Sequence, residues 1–164
     1  MIRMTVAQLG VDRATNNPVV ILREVGGERV LPIWIGSSEA NAIAVELQGA
    51  RPQRPLTHDL LKHILTGLGG ELRRVHISAL RDDTYFAELM IMRGEQPFQV
   101  DARPSDSIAL ALRCNAPIFT SEELLERSSE ASSSGAPSEP GQDPDALRRY
   151  LEKLDPQDFG RFQQ

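Results

Sequence analysis

Polar and apolar residues alternate from the start of the chain. Ile2, Met4 and Val6 are interleaved with Arg3, Thr5 and Ala7, the two-residue period of a half-buried strand. Two further apolar runs, Val19 to Val25 and Arg29 to Ile35, are joined across Gly26-Gly27 and predict a β-hairpin. From Gly36 the period lengthens. Ala40, Ile43, Ala44 and Leu47 recur at i, i+3, i+4 and i+7, behind Ser37 and Ser38 and ahead of Gly49, which predicts a capped helix. A proline-punctuated loop, Arg51 to Pro55, leads to Thr57 as the expected N-cap of a second helix. Its Leu60, Leu61, Ile64, Leu65 and Leu68 form one broad apolar face before Gly69-Gly70 ends it.

The second half reads as a meander. Val75, Ile77 and Ala79 alternate with His76 and Ser78, Arg81 to Thr84 is a turn, Tyr85 to Met92 a strand, Arg93 to Gln96 a turn, and Pro97 to Ala102 a strand. Ser105 is the expected cap of a helix over Ser107 to Arg113. After a short Pro117-Ile118-Phe119 strand, Thr120-x-x-Glu123 is a capping box opening a last helix through Glu126. The fold class expected is α+β, a mixed and largely antiparallel sheet packed with helices, in one domain over residues 1–127. Residues 128–143 are rich in Ser, Pro and Gly and have no large aliphatic or aromatic side chain to offset ordering entropy, so a disordered linker is expected there. Over residues 144–164, Asp143-Pro144 starts a short helix with Leu147, Tyr150, Leu151 and Leu154 on one side, and Asp155-Pro156 stops it. A lone helix of that length is marginal in water, so it is expected to dock on its own domain, on a second copy in a homo-oligomer, or on another protein.

Composition narrows the function classes. The longest apolar runs are far too short to span a bilayer and the first residues lack a signal peptide's pattern, so a cytoplasmic protein without membrane contact is expected. The single cysteine, Cys114, permits no internal disulfide and no zinc knuckle, and is expected to be a small buried apolar residue. Residues 1–127 hold 14 Arg and Lys against 16 Asp and Glu, and residues 128–164 hold 4 against 7, leaving net charges of −2 and −3. No basic tract exists, so any phosphate would have to be bound at a local site.

Candidate chemistry concentrates where helices begin, because their first N–H groups are unpaired and carry partial positive charge. Three starts hold polar clusters: Gly36-Ser37-Ser38-Glu39, Arg54 through Asp59, and Asp101-Ala102-Arg103-Pro104-Ser105-Asp106-Ser107. Acids in a first helical turn, Glu39, Asp59 and Asp106 among them, also serve as ordinary dipole partners. The third cluster gathers two carboxylates, a guanidinium and two hydroxyls in seven residues. Carboxylates suit Mg²⁺ or Mn²⁺, and arginine with helix amides suits phosphate. His58 and His63, five apart, make no zinc-protease pair. His63 and His76 are expected to be surface or hydrogen-bond-satisfied structural residues. His58, at a helix start, is a candidate base or metal ligand, or else a capping residue.

At these clusters the sequence resembles the bifunctional nuclease domain family. The matching stretches are Leu31-Pro32-Ile33-Trp34-Ile35-Gly36 with Glu39-Ala40-x-Ala42-Ile43, then Arg54-Pro55-x-Thr57-His58-Asp59-Leu60, and above all Asp101 through Ala111. The resemblance implies a mixed α/β domain and, as in some members, hydrolysis of DNA and RNA. Residue chemistry supplies the candidates: His58, Asp101 and Asp106 as catalytic groups, Arg54, Arg103 and Ser105 as phosphate binders, and Glu39, Asp101 and Asp106 as ligands of a divalent metal. The alternative is a non-catalytic regulatory or anion-binding module, in which Arg103 closes a salt bridge with Asp101 or Asp106 that merely fixes the turn.

Overall fold

A computed structural model describes residues 1–134. The elements run β1 (Ile2–Val11), β2 (Pro18–Glu24), β3 (Val30–Trp34), α1 (Ser37–Leu47), α2 (Thr57–Gly67), β4 (Gly70–Arg81), β5 (Thr84–Arg93), β6 (Gln96–Ala102), α3 (Pro104–Cys114), β7 (Ile118–Thr120) and α4 (Glu122–Ser134). All the strands described join one sheet in the order β3-β2-β1-β7-β4-β5-β6. Two antiparallel meanders, β1–β3 and β4–β6, are bridged by the three-residue β7, which lies antiparallel to β1 and parallel to β4. The sheet is therefore mixed and largely antiparallel, and the fold is α+β as the residue pattern predicts.

Local chemistry accounts for the joints. Between β4 and β5 the two turn residues Asp82 and Asp83 both have positive φ, 47° and 57°, the backbone sense that matches strand twist in a two-residue hairpin. Between β5 and β6, Gly94 adopts φ 60°. The core is lined by Val20, Leu22, Leu31, Ile43, Val75, Ile77, Ile108 and Leu125, each fully buried. Helix α1 presents Ala40, Ala42, Ile43 and Ala44 to it, small residues that let the helix approach closely, while Leu47 stays 47% exposed. Helix α3 is buried along most of its length and packs between α1 and α2. Cys114 is half-buried, and burial pushes its thiol pKa up.

The helix boundaries differ from the sequence expectation in a consistent way. Gly36, Leu56 and Arg103 are the N-caps of the first three helices, none with a side-chain cap of its own. At α2, Asp59 instead accepts the Leu56 N–H at 2.8 Å, so an acid inside the first turn does the work expected of Thr57. At α3, Pro104 takes the first helical position, where its missing N–H costs nothing, so the helix starts before Ser105. At α4, Ser121 accepts the Leu124 N–H at 3.2 Å in place of the expected Thr120 box. Helix α4 also runs to Ser134, so residues 128–134, placed in the linker by composition, are helical. The rest of that stretch and the tail helix expected over 144–164 lie outside the described residues. Among the described residues no helix is long and apolar enough to cross a membrane.

Helix α2 is turned over. An apolar stripe ordinarily faces the core, yet Leu60, Leu61, Ile64 and Leu68 are 53%, 44%, 50% and 70% exposed. His58, Asp59, Lys62 and Leu65 take the inward side instead. Polar contacts set this orientation: His58 meets Asp106, Asp59 meets Arg113, and Lys62 Nζ donates to the Arg113 carbonyl at 2.5 Å, all on α3.

Candidate functional site

The starts of α1, α2 and α3 meet at Arg103. Its Nε donates to Asp106 Oδ2 at 2.7 Å and its Nη2 lies 2.8 Å from Glu39 Oε1. Asp106 Oδ1 is in turn 3.0 Å from His58 Nε2. Backbone chemistry aims the guanidinium. Pro104 confines the preceding residue to extended conformations, and Arg103 sits at φ −68°, ψ 144°, with its carbonyl accepting the Ser107 hydroxyl at 2.9 Å. Glu39 reaches this point by folding back over Gly36, where any Cβ would collide with its carboxylate. His58, Glu39 and Asp106 are largely covered, with side-chain exposures of 9%, 17% and 30%, whereas Arg103 is 66% exposed and caps the group.

The electrostatics follow from this arrangement. Burial would raise the Asp106 carboxyl, but the hydrogen bonds from Arg103 and His58 outweigh it and hold its pKa below the ordinary carboxylate value. The same bond from Asp106 raises the Arg103 pKa further, so the guanidinium is charged at any accessible pH. Beside it opens a cavity of ≈ 460 Å³ lined by Glu39, Arg103, Ser105, Trp34, Asp83 and Tyr85. Trp34 is anchored at its rim, its indole Nε1 donating to Asp12 Oδ2 at 2.9 Å.

Of the residues singled out in the sequence, Glu39, His58, Arg103 and Asp106 therefore converge, and buried Ser105 lines the adjoining cavity. Asp101 does not join them. It stands opposite Glu88, which stands opposite His76, and this row occupies the sheet face turned away from Ala102, Ala87 and Ile77 and hence from α3. The single two-residue period between Ala102 and Asp101 sends their side chains to opposite sides. Arg54 is exposed in the loop before α2 and makes no ion pair among the described residues. The salt bridge weighed as an alternative does form, between Arg103 and Asp106. His76, expected to be a surface or hydrogen-bond-satisfied residue, is half-buried: its Nδ1 is 3.9 Å from Glu88, its Nε2 is buried without a partner among the described residues, and burial lowers its pKa against the pull of Glu88.

A divalent metal does not fit the residues as they stand. Among the described residues no three His, Cys, Asp or Glu side chains gather as a metal site. Glu39 and Asp106 share one guanidinium between them, so an ion bound there would first have to displace Arg103, and Asp101 is on the wrong face to complete the set.

A second ion pair escaped the reading of the sequence. Arg113 is 3% exposed, donates from Nε to Asp59 Oδ1 at 2.6 Å and from Nη1 to the Ala109 carbonyl at 2.9 Å, and leaves Nη2 buried without a partner among the described residues. Burial would raise the Asp59 carboxyl, but the Leu56 N–H and Arg113 together hold its pKa down. The available signal was one arginine inside the apolar run from Ile108 to Cys114, at a position where α3 has no free surface.

Residues 20–133 match the model of the Bifunctional nuclease domain. An uncharacterized protein of Mycobacterium tuberculosis is 40% identical over 159 residues, which is 94% of this chain and 95% of that protein. Bifunctional nuclease 1 of Oryza sativa subsp. japonica is 28% identical over 110 residues, 65% of this chain and 33% of that protein. Bifunctional nuclease 2 of Arabidopsis thaliana is 29% identical over 114 residues, 68% of this chain and 35% of that protein. With more than two thirds of its length matched in this way, the chain belongs to the bifunctional nuclease domain family.

Proposed function

We propose that the chain is a nuclease that hydrolyses phosphodiester bonds in DNA or RNA, with Arg103, Glu39 and Asp106 at its centre. The observation that carries this reading is the position of Arg103: an exposed, permanently charged fork held between two carboxylates, beside a cavity, where the three family-like segments meet. A phosphodiester entering the cavity offers that fork a better-matched oxyanion pair. Turning Nη2 from Glu39 to the phosphate leaves the Glu39 carboxylate unpaired next to the phosphorus, where it takes the proton of an attacking water. The water oxygen bonds to phosphorus, one P–O ester bond breaks, and the departing oxygen is protonated by solvent. Asp106 keeps hold of Nε throughout and aims the guanidinium. His58 is too deeply covered to reach substrate, so it acts through Asp106 as a positioning residue.

The second reading, an anion-binding or regulatory module, draws on the fact that Arg103 already has both partners it needs. One experiment separates the two. The full chain is incubated with end-labelled single- and double-stranded DNA and RNA in Mg²⁺, Mn²⁺ or EDTA, alongside Glu39→Gln, Arg103→Ala and Asp101→Asn. Loss of a general base or of a transition-state charge partner typically costs on the order of 100-fold or more. Cleavage should fall by that factor in the first two variants and persist in Asp101→Asn. Equal cleavage by all four proteins would mark a contaminant, and oligonucleotide binding without cleavage would favour the module. Loss of cleavage in EDTA, restored by Mg²⁺ or Mn²⁺, would replace the guanidinium at the centre with a metal ion.

A further inference from the structure

Helix α2 presents Leu60, Leu61, Ile64 and Leu68 to the outside, each between 44% and 70% exposed, while spending its polar residues on α3. An apolar face held outward by three polar contacts on its reverse is not an accident of loose packing. We infer that this face is the seat of the chain's own C-terminal segment, residues 144–154, docked through Leu147, Tyr150, Leu151 and Leu154.

Size selects this occupant over a second copy. Four aliphatic side chains about half exposed offer on the order of 400 Å² of apolar surface, half of the ~800 Å² that each partner of a stable complex buries. Such an area is too small to hold two free molecules at ordinary concentrations but sufficient for a tethered segment, whose effective concentration is in the millimolar range. Lengths agree as well. At 1.5 Å per residue the stripe from Leu60 to Leu68 runs about 12 Å and that from Leu147 to Leu154 about 10 Å. The twelve residues between Ser134 and Leu147 can extend to about 40 Å, against a path of about 57 Å halfway around a domain of ~36 Å diameter, so the segment can reach most of the domain surface. The match to the Mycobacterium tuberculosis protein covers 94% of this chain, which requires most of the residues beyond Ser134, although the family domain itself ends at residue 133. The two stripes thus satisfy each other's need for cover.

The test uses the full chain, hydrogen exchange resolved to short segments, and light scattering. Wild type should be monomeric, with amides over 147–154 protected. Ile64→Asp places a charge on the exposed face without touching the core, and Leu151→Asp does the same from the other side. Each should speed exchange of 147–154 by about tenfold or more, and Leu151→Asp should also raise exchange in α2. A circular dichroism melt of Ile64→Asp shows whether the domain remains folded, and Leu151→Asp gives the same answer independently of the domain. The inference is overturned by a dimer that Ile64→Asp dissociates, by an unprotected tail in wild type, or by tail protection that survives Ile64→Asp in a folded domain.

Discussion

At the scale of single residues, Arg113 is a buried charge and Asp59 is what makes it tolerable. Removing one member of a buried ion pair leaves the other uncompensated and typically costs about 3 to 5 kcal/mol. Asp59→Asn keeps the acceptor for the Leu56 N–H and the shape of the side chain, so its loss of stability in urea unfolding should fall in that range and report on Arg113 alone. Asp106→Asn should cost clearly less, because Arg103 is mostly solvated and can lean on Glu39. A similar or larger loss for Asp106→Asn would mean that the site is chiefly a structural clamp. The pH dependence follows from the same two acids. Both have folded-state pKa values below the ordinary 3.8, so their stabilisation is complete above that value and is lost as pH falls through the lower folded values. Urea midpoints of wild type should therefore drop steeply below pH 4, and the drop should be shallower in Asp59→Asn. Parallel curves for the two proteins would show that Asp59 does not titrate between the folded and unfolded states as its partners require.

At the scale of elements, the strands were legible because alternation and turn chemistry agree locally. The pattern from Val75 through Ala102 could close only as a meander. The joining of its two halves by β7 was not legible, since three residues of strand carry no period and the pairing is fixed by where α3 delivers the chain. Helix starts were misread by one to three positions where a residue within the first turn, a proline or a neighbouring serine replaced the expected side-chain cap. Helix α2 shows the larger reason for failure. Its apolar stripe was visible at once, but three contacts to α3 decide which side faces in, and no periodicity encodes a partner 48 to 54 residues away. Asp101 fails for the opposite reason: proximity in sequence grouped it with Asp106, although strand alternation separates them. The β4–β5 turn offers a clean check on element-level reasoning. Asp82 and Asp83 both pay part of the left-handed penalty that Asn-Gly avoids, so Asp82→Asn with Asp83→Gly should raise stability by up to about 1 kcal/mol, read as a higher urea midpoint at unchanged m-value. A lower midpoint would mean that the Asp83 carboxylate beside the cavity stabilises the fold more than the turn geometry does.

At the scale of the whole molecule, the charge distribution limits how a nucleic acid can be held. The chain carries −5 overall and −2 over residues 1–127, so no net positive charge attracts a polyanion, and Arg103 is the cation on the cavity wall. Each phosphate neutralised contributes about 0.7 to 0.9 to the slope of log affinity against log salt concentration. A nuclease that engages substrate mainly at one guanidinium should therefore show a slope between about −1 and −2, far shallower than that of proteins gripping six to ten phosphates. On this reading strand length should matter little, because a single phosphate contact is already made by a short strand. Measuring kcat/KM on a labelled single-stranded substrate from 50 to 300 mM salt, at two oligonucleotide lengths, tests both statements together. A slope steeper than about −4, or a strong gain with length, would require several phosphate contacts distributed over the surface, for which exposed arginines such as Arg54 and Arg81 are the candidates. A slope that flattens by about 1 in Arg103→Ala, together with weaker cleavage, would assign the single phosphate contact to Arg103, whereas an unchanged slope would place that contact elsewhere.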